Sequence, residues 1–269
     1  DYYASRGLGD VYKRQPFKEG ERAVFLGNSI TDGGHYHSYI WLYYMTRFPD
    51  MPIRVFNGGI GGDTAYDMNK RLDGDIFVMK PSVLMVTFGM NDSGYFEYNG
   101  DKPKEFGEQK YQESIKNYQQ MEKRFKDLPD TRIVMVGTSP YDETVQLKEN
   151  TPFKTKNETI KRLVEYQKES AAKNNWEFTD LNAPMTAINQ QYQQKDPTFT
   201  LCGSDRIHPD NDGHMVMAYL FLKAQGFVGK EVADMEINAN KKQAVKSENC
   251  TVSVSYTHLR AHETRSNLV

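Results

Sequence analysis

An α/β fold is predicted: a three-layer sandwich on a doubly wound, parallel, five-stranded sheet. Three observations predict it. Five short apolar runs recur along the chain, helical patterns separate them, and the residues with reactive side chains fall just after the runs. Strands alternating with helices favour a parallel sheet covered on both faces. Right-handed crossovers then make the doubly wound arrangement the economical topology.

The first run, residues 21–26 (ERAVFL), is bounded by Gly20 and Gly27 and reads as a buried strand. A helix over 38–47 follows, with Ile40, Trp41, Tyr44 and Met45 at helical spacing, and Pro49 and Pro52 end it. Residues 53–56 form the second strand, which closes in a glycine cluster at 58, 59, 61 and 62; residues 64–71 form a short helix. The third strand is 83–88. Residues 93–107, rich in Gly, Lys and aromatics, read as a surface loop. A long amphipathic helix over 108–126 repeats Tyr111, Ile115, Tyr118, Met121 and Phe125 in steps of three and four. The fourth strand (132–136), a helix over 156–173 and the fifth strand (176–180) come next. After an irregular Gln-rich stretch at 190–194, a last helix over 212–224 turns Val216, Tyr219 and Leu220 inward.

Composition excludes several classes. The 269 residues are ample for a full hydrophobic core. A formal net charge of −2 provides no basic field for nucleic acid. No apolar run approaches the roughly 18–20 residues that span a bilayer. Two cysteines, Cys202 and Cys250, rule out a disulfide-dense scaffold or a Cys-based zinc site, and free thiols are expected rather than a bridge.

The two ends stand apart. Residues 1–15 and 254–269 lack helical or strand periodicity and resemble translated sequencing-adapter read-through, so they are set aside as non-native. A native signal peptide lost with the first of them would imply a secreted or periplasmic protein. Residues 232–253 restart an alternating pattern, as expected at the start of a truncated second β segment.

Four blocks carry the chemistry. Gly27-Asn28-Ser29-Ile30-Thr31 follows strand one, Gly59-Ile60-Gly61-Gly62-Asp63-Thr64 follows strand two, Gly89-Met90-Asn91-Asp92 follows strand three, and Asp205-Arg206-Ile207-His208-Pro209 lies beyond strand five. A serine hydroxyl needs an adjacent base to become a nucleophile. His208 can supply it if a group such as Asp205 fixes its tautomer and stabilises the imidazolium. No dinucleotide fingerprint or Walker loop is present, so the glycine cluster is not a phosphate cradle and no cofactor is expected. The absence of a Gly-x-Ser-x-Gly elbow argues against an α/β-hydrolase lipase.

In this order and at these strand ends, the blocks resemble the SGNH (GDSL-type) hydrolases, over most of residues 21–225. The resemblance implies a flavodoxin-like sheet and an SGNH domain over 16–231. It also implies a Ser29–Asp205–His208 triad and an oxyanion hole from the N–H groups of Ser29 and Gly62 and the amide of Asn91. Glycine at 62 then keeps a side chain out of the oxyanion's approach. Asn28 departs from the usual aspartate, a loss of charge that bears on His208. The implied reaction is hydrolysis of a small acyl ester, most specifically removal of acetyl from a carbohydrate or other polar alcohol. The alternatives are a lysophospholipase or thioesterase, or a silent glycan-binding module. Asn28, His35, Tyr36, His37 and Ser139 are candidates for the substrate rim, with Tyr36 and Tyr39 a possible sugar-stacking wall. Metal ligation by His35 and His37 is the weaker reading, and no metal is expected; His214 is expected to pack.

Overall fold

The computed structural model describes residues 15–149, 151–229, 231–238, 240–241 and 243–252. The expectations for 1–14 and for 253–269 lie outside the described residues. The chain divides into two compact units between Gly226 and Phe227.

The first unit is a three-layer α/β sandwich. Its strands are β1 (Arg22–Gly27), β2 (Arg54–Gly59), β3 (Val83–Val86), β4 (Arg132–Gly137) and β5 (Glu177–Asp180). They are parallel and ordered β2-β1-β3-β4-β5. From β1 the chain steps outward to β2, then returns across β1 to β3 and continues to β5. Right-handed crossovers therefore place the helix that follows β1 on one face and the later crossover helices on the other. That reversal opens a crevice beyond the carboxyl ends of β1 and β3, where ligands bind in such sheets. Every residue of β3, and all but the first of β1 and β4, is buried, as parallel central strands require. The edge strand β2 is half-exposed.

The helices are α1 (Ser29–Asp32), α2 (His35–Arg47), α3 (Ala65–Arg71), α4 (Pro103–Lys126), α5 (Lys156–Lys173), α6 (Asn182–Gln193) and α7 (Asn211–Ala224). Helix α2 packs on α7, while α3, α4 and α5 lie side by side. Three expectations are corrected. Helix α4 starts at Pro103, inside the stretch read as a loop, because proline at the first position is pre-set for a helix. Helix α6 shows no apolar stripe because two of its three buried positions are Asn182 and Asn189, beside Met185. Helix α7 is turned by about one position: His214, Met217, Ala218 and Phe221 face inward, and Tyr219 is half-exposed. In α2, Trp41 and Met45 likewise reach the surface.

The second unit contains an antiparallel hairpin, β6 (Asp234–Asn238) and β7 (Gln243–Glu248), with an irregularity between Glu236 and Ile237. Cys202 is buried in the first unit; it and Cys250 are free thiols. Among the described residues, no helix is long and apolar enough to cross a membrane.

Candidate active site

The site is built from the ends of β1, β2 and β3 and the turn before α7. Where β1 ends, the Asn28 side chain accepts from Ile30 N at 3.1 Å and caps α1. Ser29 thus becomes the first residue of a short helix, where backbone N–H groups have no partner within the helix. Strand β2 closes against this turn: a Cβ on Gly59 would lie 2.2 Å from the backbone nitrogen of Asp32. Arg71 of α3 fastens both strand ends. Its Nη2 donates to Gly58 O at 2.8 Å and Gly27 O at 3.2 Å, and its Nε donates to Asp63 Oδ2 at 2.6 Å.

On the other side, Asp205 folds its own turn. Its Oδ1 accepts from the backbone N–H groups of Ile207 and His208, both at 2.9 Å. Its Oδ2 lies 2.5 Å from His208 Nδ1. His208 Nε2 in turn lies 2.7 Å from Ser29 Oγ, bringing together residues 179 positions apart. Arg206, buried and with φ 68°, anchors the turn by donating to Asp142 O and Val145 O at 3.1 and 2.7 Å.

Electrostatics agree with this geometry. Burial raises the Asp205 pKa, but hydrogen bonds from the His208 side chain and the two backbone N–H groups outweigh it and hold the carboxyl below its ordinary value. The hydrogen bond to Asp205 raises His208, against a smaller lowering by burial. An imidazole made more basic by a fixed carboxylate is the base a serine hydroxyl needs.

The second and third blocks meet beside the serine. Asn91 Nδ2 donates one of its two N–H groups to Asp63 O at 3.0 Å, and its Oδ1 accepts from Tyr95 Oη at 2.5 Å. Buried Asp92 holds the block in place: Oδ1 accepts from Ala65 N and Ser114 Oγ, Oδ2 from Gly89 N, each at 2.9 Å. Gly62 has φ 85°, a conformation that favours glycine, and a Cβ there would meet nothing within 4 Å. Glycine at 62 is therefore favoured by backbone shape, and a Cβ there would point into open space.

Four rim expectations are corrected by burial. Asn28 is 1% exposed and spends its side chain on the helix cap. Tyr36 is 3% exposed and bonded to Thr31 Oγ1, which excludes it from a stacking wall. His37 is 5% exposed, with Nε2 3.2 Å from Thr31 O, and Ser139 is fully buried. His35 alone among these five is exposed; it lines a surface depression with residues 209–212 and His214. His214 is buried, its ring stacked with that of Tyr36, and burial followed by the charges of His35, His37 and His208 pushes its pKa down to about 4.

Sequence reasoning assigned no role to Arg71, Asp63, Asp92, Tyr95, Lys156 or Arg206. A signal existed for one of them: Lys156 shares the spacing of Ile160, Leu163 and Val164, which puts a lysine on the buried stripe of α5.

A doubly wound sheet with a serine, histidine and aspartate hydrogen-bonded in series at its carboxyl edge defines a serine ester hydrolase. Residues 25–216 match the GDSL-like lipase/acylhydrolase family, and the chain belongs to that family. Among characterised relatives is an acetylxylan esterase of Geobacillus stearothermophilus, 27% identical over an alignment of 224 residues that covers 77% of this chain and 95% of that one. Its crystal structure superposes with a TM-score of 0.62 at 24% identity, covering 78% of this chain and 96% of that one. A gut microbial diltiazem-metabolizing enzyme is 83% identical with a TM-score of 0.87, covering 90% of this chain. This chain spans 55% of that enzyme's length.

Proposed function

We propose that this enzyme removes acetyl groups from hydroxyls of carbohydrates and comparable polar alcohols, through an acyl-enzyme on Ser29. The observation that carries the reading is the unbroken hydrogen-bond series Ser29–His208–Asp205. Ser29 Oγ attacks the ester carbonyl while His208 Nε2 takes its proton. The carbonyl oxygen becomes negative and accepts from the backbone N–H groups of Ser29 and Gly62 and from Asn91 Nδ2. As the C–O bond breaks, His208 returns the proton to the leaving alcohol. Water, deprotonated by the same imidazole, then releases acetate and restores the serine. Asp205 stays ionised throughout and stabilises the imidazolium.

Two kinds of support favour acetate on a polar alcohol. One relative is an acetylxylan esterase, which acts on acetyl esters of a polysaccharide, and another is a diltiazem-metabolizing enzyme. A cavity of about 350 Å³ beside Asn91 is lined by Thr64, Lys110, Lys116 and Asn117 and by the half-exposed ring of Tyr66, a surface suited to hydroxyls rather than a fatty chain. The test is acetate release from acetylated xylo-oligosaccharides and p-nitrophenyl acetate, compared with long-chain esters. Ser29→Ala should lose on the order of 10⁶ in kcat. Equal rates for Ser29→Ala and wild type would dispose of the nucleophile, and preference for long acyl chains would dispose of the substrate class.

A further inference from the structure

We infer that Lys156 is a positioning residue for the oxyanion amide: its ammonium clamps residues 90–94 and, through Tyr95, fixes the direction in which Asn91 presents its N–H. The inference rests on the role proposed for Asn91.

Lys156 is the first residue of α5 and is fully buried. Its Nζ donates to Met90 O at 2.7 Å, Ser93 Oγ at 2.6 Å and Gly94 O at 2.5 Å, so all three protons go to the segment that carries Asn91. The Tyr95 ring lies over the ammonium, 3.9 Å from nitrogen to centroid, and the Tyr141 ring lies at 5.8 Å. The Tyr95 hydroxyl in turn donates to Asn91 Oδ1. Asp63 O, which can only accept, takes one N–H from the opposite side of the amide. A flipped amide would set Oδ1 against the Asp63 carbonyl, two acceptors face to face, so one orientation is selected, and in it the Tyr95 hydroxyl donates to Oδ1.

This arrangement is costly for stability alone. A buried ammonium without a directly bonded carboxylate pays desolvation, and a cation in the first turn of a helix opposes the dipole. The charges facing it, Asp92 and Glu143, act at longer range and only partly offset burial, which pulls the lysine down to about 7. Tyr95 is half-buried; burial raises the pKa of its hydroxyl, and the Asp205 carboxylate is close enough to raise it further, so the arm reaches the catalytic turn.

A double-mutant cycle tests the inference. Lys156→Met keeps the side-chain length, and Tyr95→Phe keeps the ring over the ammonium while deleting the hydroxyl. Each should lower kcat roughly 10–100-fold with KM little changed. In an Asn91→Ala background neither should lower kcat further, because the group they orient is gone. The same factor in both backgrounds, or unchanged kcat in the single variants, overturns the inference. If Lys156→Met does not fold, as judged by circular dichroism, the Tyr95→Phe cycle decides alone. Failure of the esterase reading would show separately, as activity retained in Ser29→Ala.

Discussion

Replacing Asp205 with asparagine separates the charge of this carboxylate from its place in the fold. The Oδ1 of an amide can still accept from the backbone N–H groups of Ile207 and His208, as the carboxylate does at 2.9 Å, so the turn should persist. The other amide atom becomes an NH₂ facing His208 Nδ1, where a carboxylate oxygen now sits at 2.5 Å. To accept from that group, Nδ1 must give up its hydrogen, and the proton moves to Nε2. Nε2 then faces Ser29 Oγ as a donor rather than as the base. The magnitude is bounded from both sides. Loss of a positioned general base costs about 10²-fold at the low end, and the carboxylate-to-amide change in a serine triad costs about 10⁴. Side chains of Asp205 and His208 are 46% and 48% exposed, so water can partly replace the lost charge, and a value inside this range is expected. The assay is kcat on p-nitrophenyl acetate, with circular dichroism to show that the fold is kept. A folded Asp205→Asn variant within a few-fold of wild type would refute the tautomer argument.

Further outcomes follow from the same geometry. The His208 pKa stands above its ordinary 6.5 because of the Asp205 hydrogen bond, and the imidazole must be neutral to accept a proton. The kcat/KM profile should therefore rise with pH through a midpoint above 6.5, and Asp205→Asn should move that midpoint down; an unmoved midpoint contradicts the pairing. Asn91→Ala should lower kcat about 10²–10³-fold with little change in KM, measured by steady-state kinetics. Arg71→Met leaves Asp63 without its partner in a pair whose side chains are only 12% and 10% exposed. It should lower unfolding free energy in urea by about 3 kcal/mol and reduce kcat, because the strut between the ends of β1 and β2 is lost; unchanged stability would contradict that role.

Much of the fold was legible because parallel central strands are apolar throughout: β1, β3 and β4 announce themselves as short Val, Leu and Ile runs. The meeting of Ser29, His208 and Asp205 was expected from the resemblance of their blocks to a known family, and the structure joins the three by hydrogen bonds. The rim was not legible. Tyr36 and His37 extend the buried stripe of Ile40 and Tyr44, since α2 begins at His35 and one helical turn carries that stripe back to them. Helix α6 stayed hidden because it buries asparagines, whose inward placement depends on partners outside the helix such as Leu201 N and Cys202 Sγ. Arg71 was silent, and spacing puts Lys156 on the buried stripe of α5 without naming its partners: what both residues do depends on carbonyls presented by other segments of the chain.

The covalent step can be read directly by intact-protein mass spectrometry of samples acid-quenched during turnover of p-nitrophenyl acetate. Wild type should carry one acetyl group, located by peptide mapping on Ser29, and Ser29→Ala should carry none. Acetyl at another side chain, or hydrolysis without any acetylated species in a variant slowed at deacylation, would contradict the account.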